Sequence, residues 1–299
     1  MVRPVVAGVD GSPESADSAR WAVREASRRG TSLRLVHAVE GLPPEGPRPR
    51  LPELSAPLER AHRLLRAVVD DVAAHTPHVP VSADLIPGTP GEALLREASG
   101  AALLVLGSRG FGAVGGRLAG SAAAAVVGHA RCPVVLVRAG TRERDAFLPR
   151  TDPTAADVAR DVALALDLPG SGAELLDFAF GTAQSRGSAV RAVHVWHVPY
   201  AAPMPDAAQR AVLREDAELG LARLLRPWRE KYPDVYVHEV LAEGRATHEV
   251  VRAAGGACLL VVGHHARPHP VGSRTGSVTH AAIHYAKCPV AVVPHDRHT

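Results

Sequence analysis

The chain reads as an α/β protein made of two copies of one domain, each a parallel sheet covered on both faces by helices. Three observations lead there. Its 299 residues are about twice a typical domain of ~150. Short β-branched runs alternate with Ala-rich helical stretches from end to end. Finally, four blocks recur in the same order. Val5-Val6-Ala7-Gly8-Val9-Asp10 returns as Val162-Ala163-Leu164-Ala165-Leu166-Asp167, and Leu35–Val39 returns as Ala192–Trp196, each 157 residues later. Leu103–Gly107 returns as Leu259–Gly263 and Arg131–Val134 as Lys287–Val290, now 156 residues later. Four ordered blocks with a single-residue drift indicate a tandem duplication.

In the first copy, strands are expected near 4–9, 32–39, 79–86, 102–107 and 132–138. Amphipathic helices are expected near 14–29, 53–75, 90–99 and 119–130. Ser12 can cap the first helix, and Pro13 suits its first turn. The second copy repeats the strands near 161–167, 189–196, 234–241, 258–263 and 288–294. The stretch around Gly140–Pro153 carries Arg142, Glu143, Arg144 and Asp145 without periodicity. Domains are therefore expected at 1–141 and 157–299, with a linker over 142–156.

Composition removes several classes of function. Lys and Arg number 34 against 31 Asp and Glu, a net charge of +3. That balance, with no basic run interleaved with aromatics, argues against a nucleic-acid partner. No stretch of ~18 apolar residues runs free of charge, so no membrane helix is expected. The opening residues reach Asp10 too soon for the apolar region of a signal peptide. Cys132, Cys258 and Cys288 lack CxxC spacing and read as buried thiols in a reducing compartment. A cytoplasmic protein is expected.

The fourth strand of the first copy ends in Gly107-Ser108-Arg109-Gly110, and Gly120-Ser121 follows after nine residues to open an Ala-rich helix. Glycines at strand ends let the backbone approach a ligand. A helix starting at Gly120-Ser121 turns free N–H groups and the positive end of its dipole toward an anion. Ser121 adds a hydroxyl, and Arg109 or Arg117 can supply charge. Such a loop suits a chain of phosphates. Two competing motifs fail. Gly110–Gly115 spells GxGxxG, but it follows the fourth strand and lacks the acid about 20 residues on. Gly115–Ser121 imitates a Walker A loop but has Ser121 where the lysine belongs. His264, His265 and His269 lie together in one loop and read as loop residues, while His37 and His194 read as structural.

The pattern G-x2-G-x9-G-S, the opening Gly8-Val9-Asp10-Gly11-Ser12 and the Cys-Pro-Val ending make the chain similar to the universal stress protein family in its tandem, ATP-binding form. The resemblance covers nearly everything outside the linker. It implies sheets ordered 3-2-1-4-5, with ligand in the crevice between strands one and four, where the topology reverses. It puts Asp10 against the adenosine, the backbone of Ala38 against adenine, and Gly107 and Gly110 beside the ribose and phosphates. Arg109 borders that loop, and Gly120, Ser121 and Ala122 would hold the phosphates. The other reading of Asp10 is a solvated or helix-capping carboxylate.

The second copy keeps Asp167, Val195, Gly263, Gly276 and Ser277 in the matching positions. It departs from the pattern with Ala266 for the second glycine and Leu168 for Gly11. Nucleotide binding there stays open, and between one and two ATP per chain are expected, with or without magnesium. The functional expectation is a nucleotide-dependent regulator of stress response or dormancy, without assigned catalytic or metal-binding residues. The alternatives are a slow ATPase or nucleotide-transferring enzyme, and a nucleotide-free scaffold. The last strands, Pro133–Val137 and Pro289–Val293, are apolar edges that need covering. They are expected to pair within the chain or in a homodimer.

Overall fold

A computed structural model describes residues 2–42, 52–108, 121–140, 160–168, 171–198, 206–265 and 275–295. The chain divides into two compact units, Met1–Arg142 and Glu143–Thr299. The first contains β1 (Val5–Gly8), α1 (Pro13–Arg28), β2 (Leu33–Val39), α2 (Pro52–His75), β3 (Val81–Pro87), α3 (Pro90–Ala98), β4 (Leu103–Gly107), α4 (Ser121–Val127) and β5 (Val134–Val137). Its strands are parallel and lie in the order β3-β2-β1-β4-β5. The second contains β6 (Val162–Leu166), α5 (Ala173–Arg186), β7 (Val190–Trp196), α6 (Ala207–Lys231), β8 (Val237–Glu243), α7 (Ala246–Ala253), β9 (Leu259–His265), α8 (Ser277–Tyr285) and β10 (Val290–His295). Its parallel order, β8-β7-β6-β9-β10, repeats the first.

The sequence explains these elements locally. Ser12 caps α1 by accepting from the Ser15 N–H at 3.2 Å, and Pro13 occupies the first turn, where no helical donor is lost. β1, β4 and β6 are buried along their whole length, as strands covered on both faces must be. Successive right-handed crossovers run one way from β1 through β3 and the other way from β4 to β5. Hence α1 and α2 cover one face and α3 and α4 the other.

Two elements differ from expectation. β8 starts at Val237, not 234, because Pro233 and Asp234 belong to a turn closed by the Val235 N–H donating to the Tyr232 carbonyl at 3.1 Å. α4 spans seven residues and ends at Val127, where Gly128 and a tight His129-to-Val126 bond turn the chain out of the helix. Both units tie their first two helices together, but with opposite polarity. Arg20 of α1 donates to Asp71 of α2 through Nε and Nη2 at 2.7 and 3.0 Å. In α5 the corresponding residue is Asp177, which accepts from Lys231 and, at 2.8 Å, from the Tyr232 hydroxyl. Burial works against the Asp177 anion, yet those two donors hold its carboxyl below the usual range. Half-exposed pairs of this kind stabilise by at most about 1 kcal/mol, so the bridge steers helix docking more than it stabilises the fold.

Among the described residues no helix is long and apolar enough to cross a membrane. Cys132 and Cys258 are buried, Cys288 partly so. Burial pushes the Cys132 thiol up to about 11. At pH 8 roughly one Cys132 in a thousand is then thiolate, against about a quarter for an ordinary thiol. Iodoacetamide should therefore modify Cys132 at least ~100-fold more slowly in the folded protein than after unfolding. Equal rates, read by peptide mapping, would contradict this packing.

Candidate functional site

At the carboxyl edge of the first sheet, the chain leaves β1 toward α1 and leaves β4 in the opposite sense. A shallow cleft opens between them, lined by Gly8, Asp10, Ser15, Leu94, Leu106, Gly107, Ala122 and Ala123. The structure thus brings together Asp10, Gly107 and Ala122 from the residues singled out in the sequence. Ala38 sits at the end of β2, paired with Ile86, and does not line the cleft. Ser121 opens α4. Arg109, Gly110 and Gly120 lie outside the described residues, as does Ala266 in the second unit.

Asp10 has local work to do. Its Oδ1 accepts from the Ser12 N–H at 2.9 Å and the Ser12 hydroxyl at 2.6 Å, and its own N–H donates to Ser15 Oγ at 3.3 Å. The Ser15 hydroxyl donates onward to the Ser12 carbonyl at 2.9 Å. This network fixes the turn from β1 into α1 and holds the half-buried carboxylate at the rim of the cleft. Gly11 completes the turn at φ +85°, a conformation that favours glycine. Ser12 is the helix cap, and Asp10 acts behind it by holding Ser12 in place.

His37 is structural as well. Its Nδ1 lies 2.7 Å from the Val9 carbonyl, which can only accept, so Nδ1 carries a proton. His194 makes the same contact with the Leu166 carbonyl at 3.1 Å. Each imidazole clamps the ends of the first two strands beside the crevice.

The glycines of the site owe their identity first to packing. A Cβ at Gly107 would stand 2.9 Å from the Glu14 carbonyl carbon, so α1 could not begin where it does. A Cβ at Gly8 would stand 2.8 Å from methyl groups of both Leu106 and Leu94. Gly8, Ser15, Leu94, Leu106 and Ala123 were not singled out in the sequence. Gly8 carried a signal, because glycine inside a strand marks a close approach; the others look like ordinary core residues until the fold places them at one edge.

In the second unit Asp167 donates its N–H to Ser171 Oγ at 2.9 Å, a bond like that from Asp10 to Ser15. Leu168, in the place of Gly11, turns toward α6, its Cδ1 3.3 Å from where a Cβ at Gly220 would lie. Val195 pairs with Ala242 in β7, Gly263 lies in β9, and Gly276 caps α8 ahead of Ser277. Among the described residues no group of three or more His, Cys, Asp or Glu gathers as a metal site.

The two units supply an internal test of the cleft floor. Gly8, Leu94 and Leu106 correspond to Ala165, Val250 and Val262, all buried. One side chain gains a carbon where two neighbours each lose one. Gly8→Ala alone should therefore cost about 1–3 kcal/mol by overpacking. Adding Leu94→Val and Leu106→Val should recover most of that loss in a denaturant midpoint. A triple variant no more stable than the single one would contradict the packing.

Comparison with known proteins gives a consistent family. The model of the universal stress protein family matches residues 1–138 and again residues 159–294. A universal stress protein of Mycobacterium bovis is 33% identical over 296 residues, covering 96% of each chain. The crystal structure of a universal stress protein from Archaeoglobus fulgidus shares the fold with a TM-score of 0.68 at 16% identity, covering 98% of this chain and 97% of its own. A universal stress protein solved in complex with cAMP aligns with 46% of this chain at 27% identity and a TM-score of 0.36.

Proposed function

The chain belongs to the universal stress protein family, and on that footing we propose that its first unit binds an adenine nucleotide, ATP foremost, in the β1/β4 cleft. Bound nucleotide then serves as a signal in a regulator of stress response or dormancy. The observation that carries this reading is the meeting of Asp10, Gly107 and Ala122 around one cleft at the switch point of the sheet.

The cleft offers the chemistry a nucleoside needs. Leu94, Leu106 and Ala123 give apolar walls for a ring or sugar face, and Asp10 gives an acceptor for ribose hydroxyls or the adenine amine. In this reading the Ala38 backbone meets adenine, and Gly107 and Gly110 border ribose and phosphates. Gly120, Ser121 and Ala122 supply donors to the phosphates, and Arg109 supplies charge. Asp10 is the one carboxylate on the cleft among the described residues. Magnesium prefers one or two carboxylates together with substrate phosphates, so it enters only as a companion of the phosphates.

Calorimetry with ATP tests the assignment. Gly120→Asp places a carboxylate where the phosphates should sit, and the first-unit site should then weaken at least ~100-fold, about 2.7 kcal/mol. Unchanged affinity in a folded Gly120→Asp protein would contradict the assignment.

A further inference from the structure

Two of the three cysteines meet in the second unit, at the amino edge of its sheet. Cys258 precedes β9, and Cys288 precedes β10, the neighbouring parallel strand. Leu260 pairs with Val290 in register, and the Leu260 N–H donates to the Pro289 carbonyl at 2.9 Å. Two residues back along both strands, that register sets Cys258 opposite Cys288. Cys258 is held in the ladder on its other side, its N–H donating to the Asp161 carbonyl at 2.9 Å. Register partners on neighbouring strands stand about 4.8 Å apart, inside the ~4.4–6.8 Å between Cα atoms that a disulfide spans.

Both side chains face α7. Side chains alternate along a strand, and a Cβ at Gly263 would meet Leu175 of α5. Cys258, five positions earlier, therefore points to the opposite face of the sheet. The Cys288 Sγ stands 4.0 Å from the Ala254 carbonyl, which closes α7 and accepts from the Ala257 N–H at 3.1 Å. That thiol is thus set against the turn that leads into Cys258. The first unit repeats the placement, with the Cys132 thiol in hydrogen-bonding reach of the Leu104 backbone in β4. Cys132 corresponds to Cys288, but the counterpart of Cys258 is Ala102, so the first unit has one thiol where the second has two. Cys258 is 7% exposed and Cys288 is half-buried.

We propose that Cys258 and Cys288 form a reversible disulfide when the protein meets a peroxide. Cys288 is the more exposed thiol and reacts first. Its thiolate attacks one peroxide oxygen and the O–O bond breaks, leaving a sulfenic acid on Cys288. The departing hydroxide takes up the proton that the thiol gave up and becomes water. Cys258 then attacks the Cys288 sulfur: the S–S bond forms, the S–O bond breaks, and hydroxide leaves with the Cys258 proton as a second water. Two thiols and one hydrogen peroxide give one disulfide and two waters. In a reducing compartment such a bond is transient, because small thiols reverse it by exchange. It closes a loop that holds β9 and α8 and returns to the start of β10.

Trypsin separates the three cysteines, cutting after Arg131, Arg252, Arg274 and Lys287. The folded full chain is treated with hydrogen peroxide, its remaining thiols are blocked with N-ethylmaleimide in denaturant, and the peptides are mapped without reductant. The expected product joins the Cys258 and Cys288 peptides within one chain, leaves Cys132 carrying the maleimide, and separates on adding dithiothreitol. Three blocked thiols, a sulfinic acid at Cys288, or a bond to any other cysteine overturns the proposal. Cys258→Ala installs the residue of the first unit and removes the second thiol. Dimedone, which captures sulfenic acids, should then label Cys288 at least ~10-fold more than in the parent chain. Equal labelling of the two proteins overturns Cys258 as the partner.

Discussion

The proposed nucleotide site depends on the reversal of strand order between β1 and β4. Two parallel neighbours whose chains leave in opposite directions cannot have their carboxyl ends covered by one connection, so a crevice forms between them. In the first unit the sides of that crevice approach closely. Gly8 admits the methyl groups of Leu94 and Leu106, and Gly107 admits the backbone of α1. Larger residues at either position would push the walls apart or displace a helix. The crevice therefore has a fixed width set by backbone packing, and the Asp10–Ser12–Ser15 network holds a carboxylate at its rim.

Duplication turns the chain into a comparison with itself. Where the fold demands a feature, both units keep it: the His37 and His194 clamps, and the bridges from α1 to α2 and from α5 to α6. The means are free to change. The helix bridge reverses its charges, and the floor exchanges one glycine and two leucines for one alanine and two valines. Near the strand ends the units differ in detail: Ala123 of α4 lines the first cleft, while the matching Thr279 of α8 donates to the Gly263 carbonyl of β9. Constraint from folding is shared between the copies.

Much of this could be read from residues alone. The repeat fixed the number of units, and the apolar strand runs fixed the parallel sheets, because a strand buried on both faces cannot alternate polar and apolar residues. Ser12 and Pro13 marked the start of α1. Strand and helix ends were harder to place: the turn at Pro233-Asp234 and the tight ending after Val127 depend on local hydrogen bonds that periodicity does not report. At the site, Gly107 stood out through spacing, and Asp10 and Ala122 through the family resemblance. Leu94, Leu106 and Ala123 did not, because an apolar residue in a helix or strand carries no mark of the edge it will face. Their roles emerge once the topology sets α3 and α4 beside the strand ends. Gly107 shows the opposite limit, since the packing of Glu14 against it is reason enough for a glycine there.

The central claim is that the first crevice holds an adenine nucleotide as a bound signal. Mass spectrometry of small molecules released by denaturing freshly purified protein tests it most directly. The account predicts adenine nucleotide in the released fraction, with ATP that stays intact as the protein stands. Protein that releases no nucleotide, and takes none up when incubated with ATP, would contradict it.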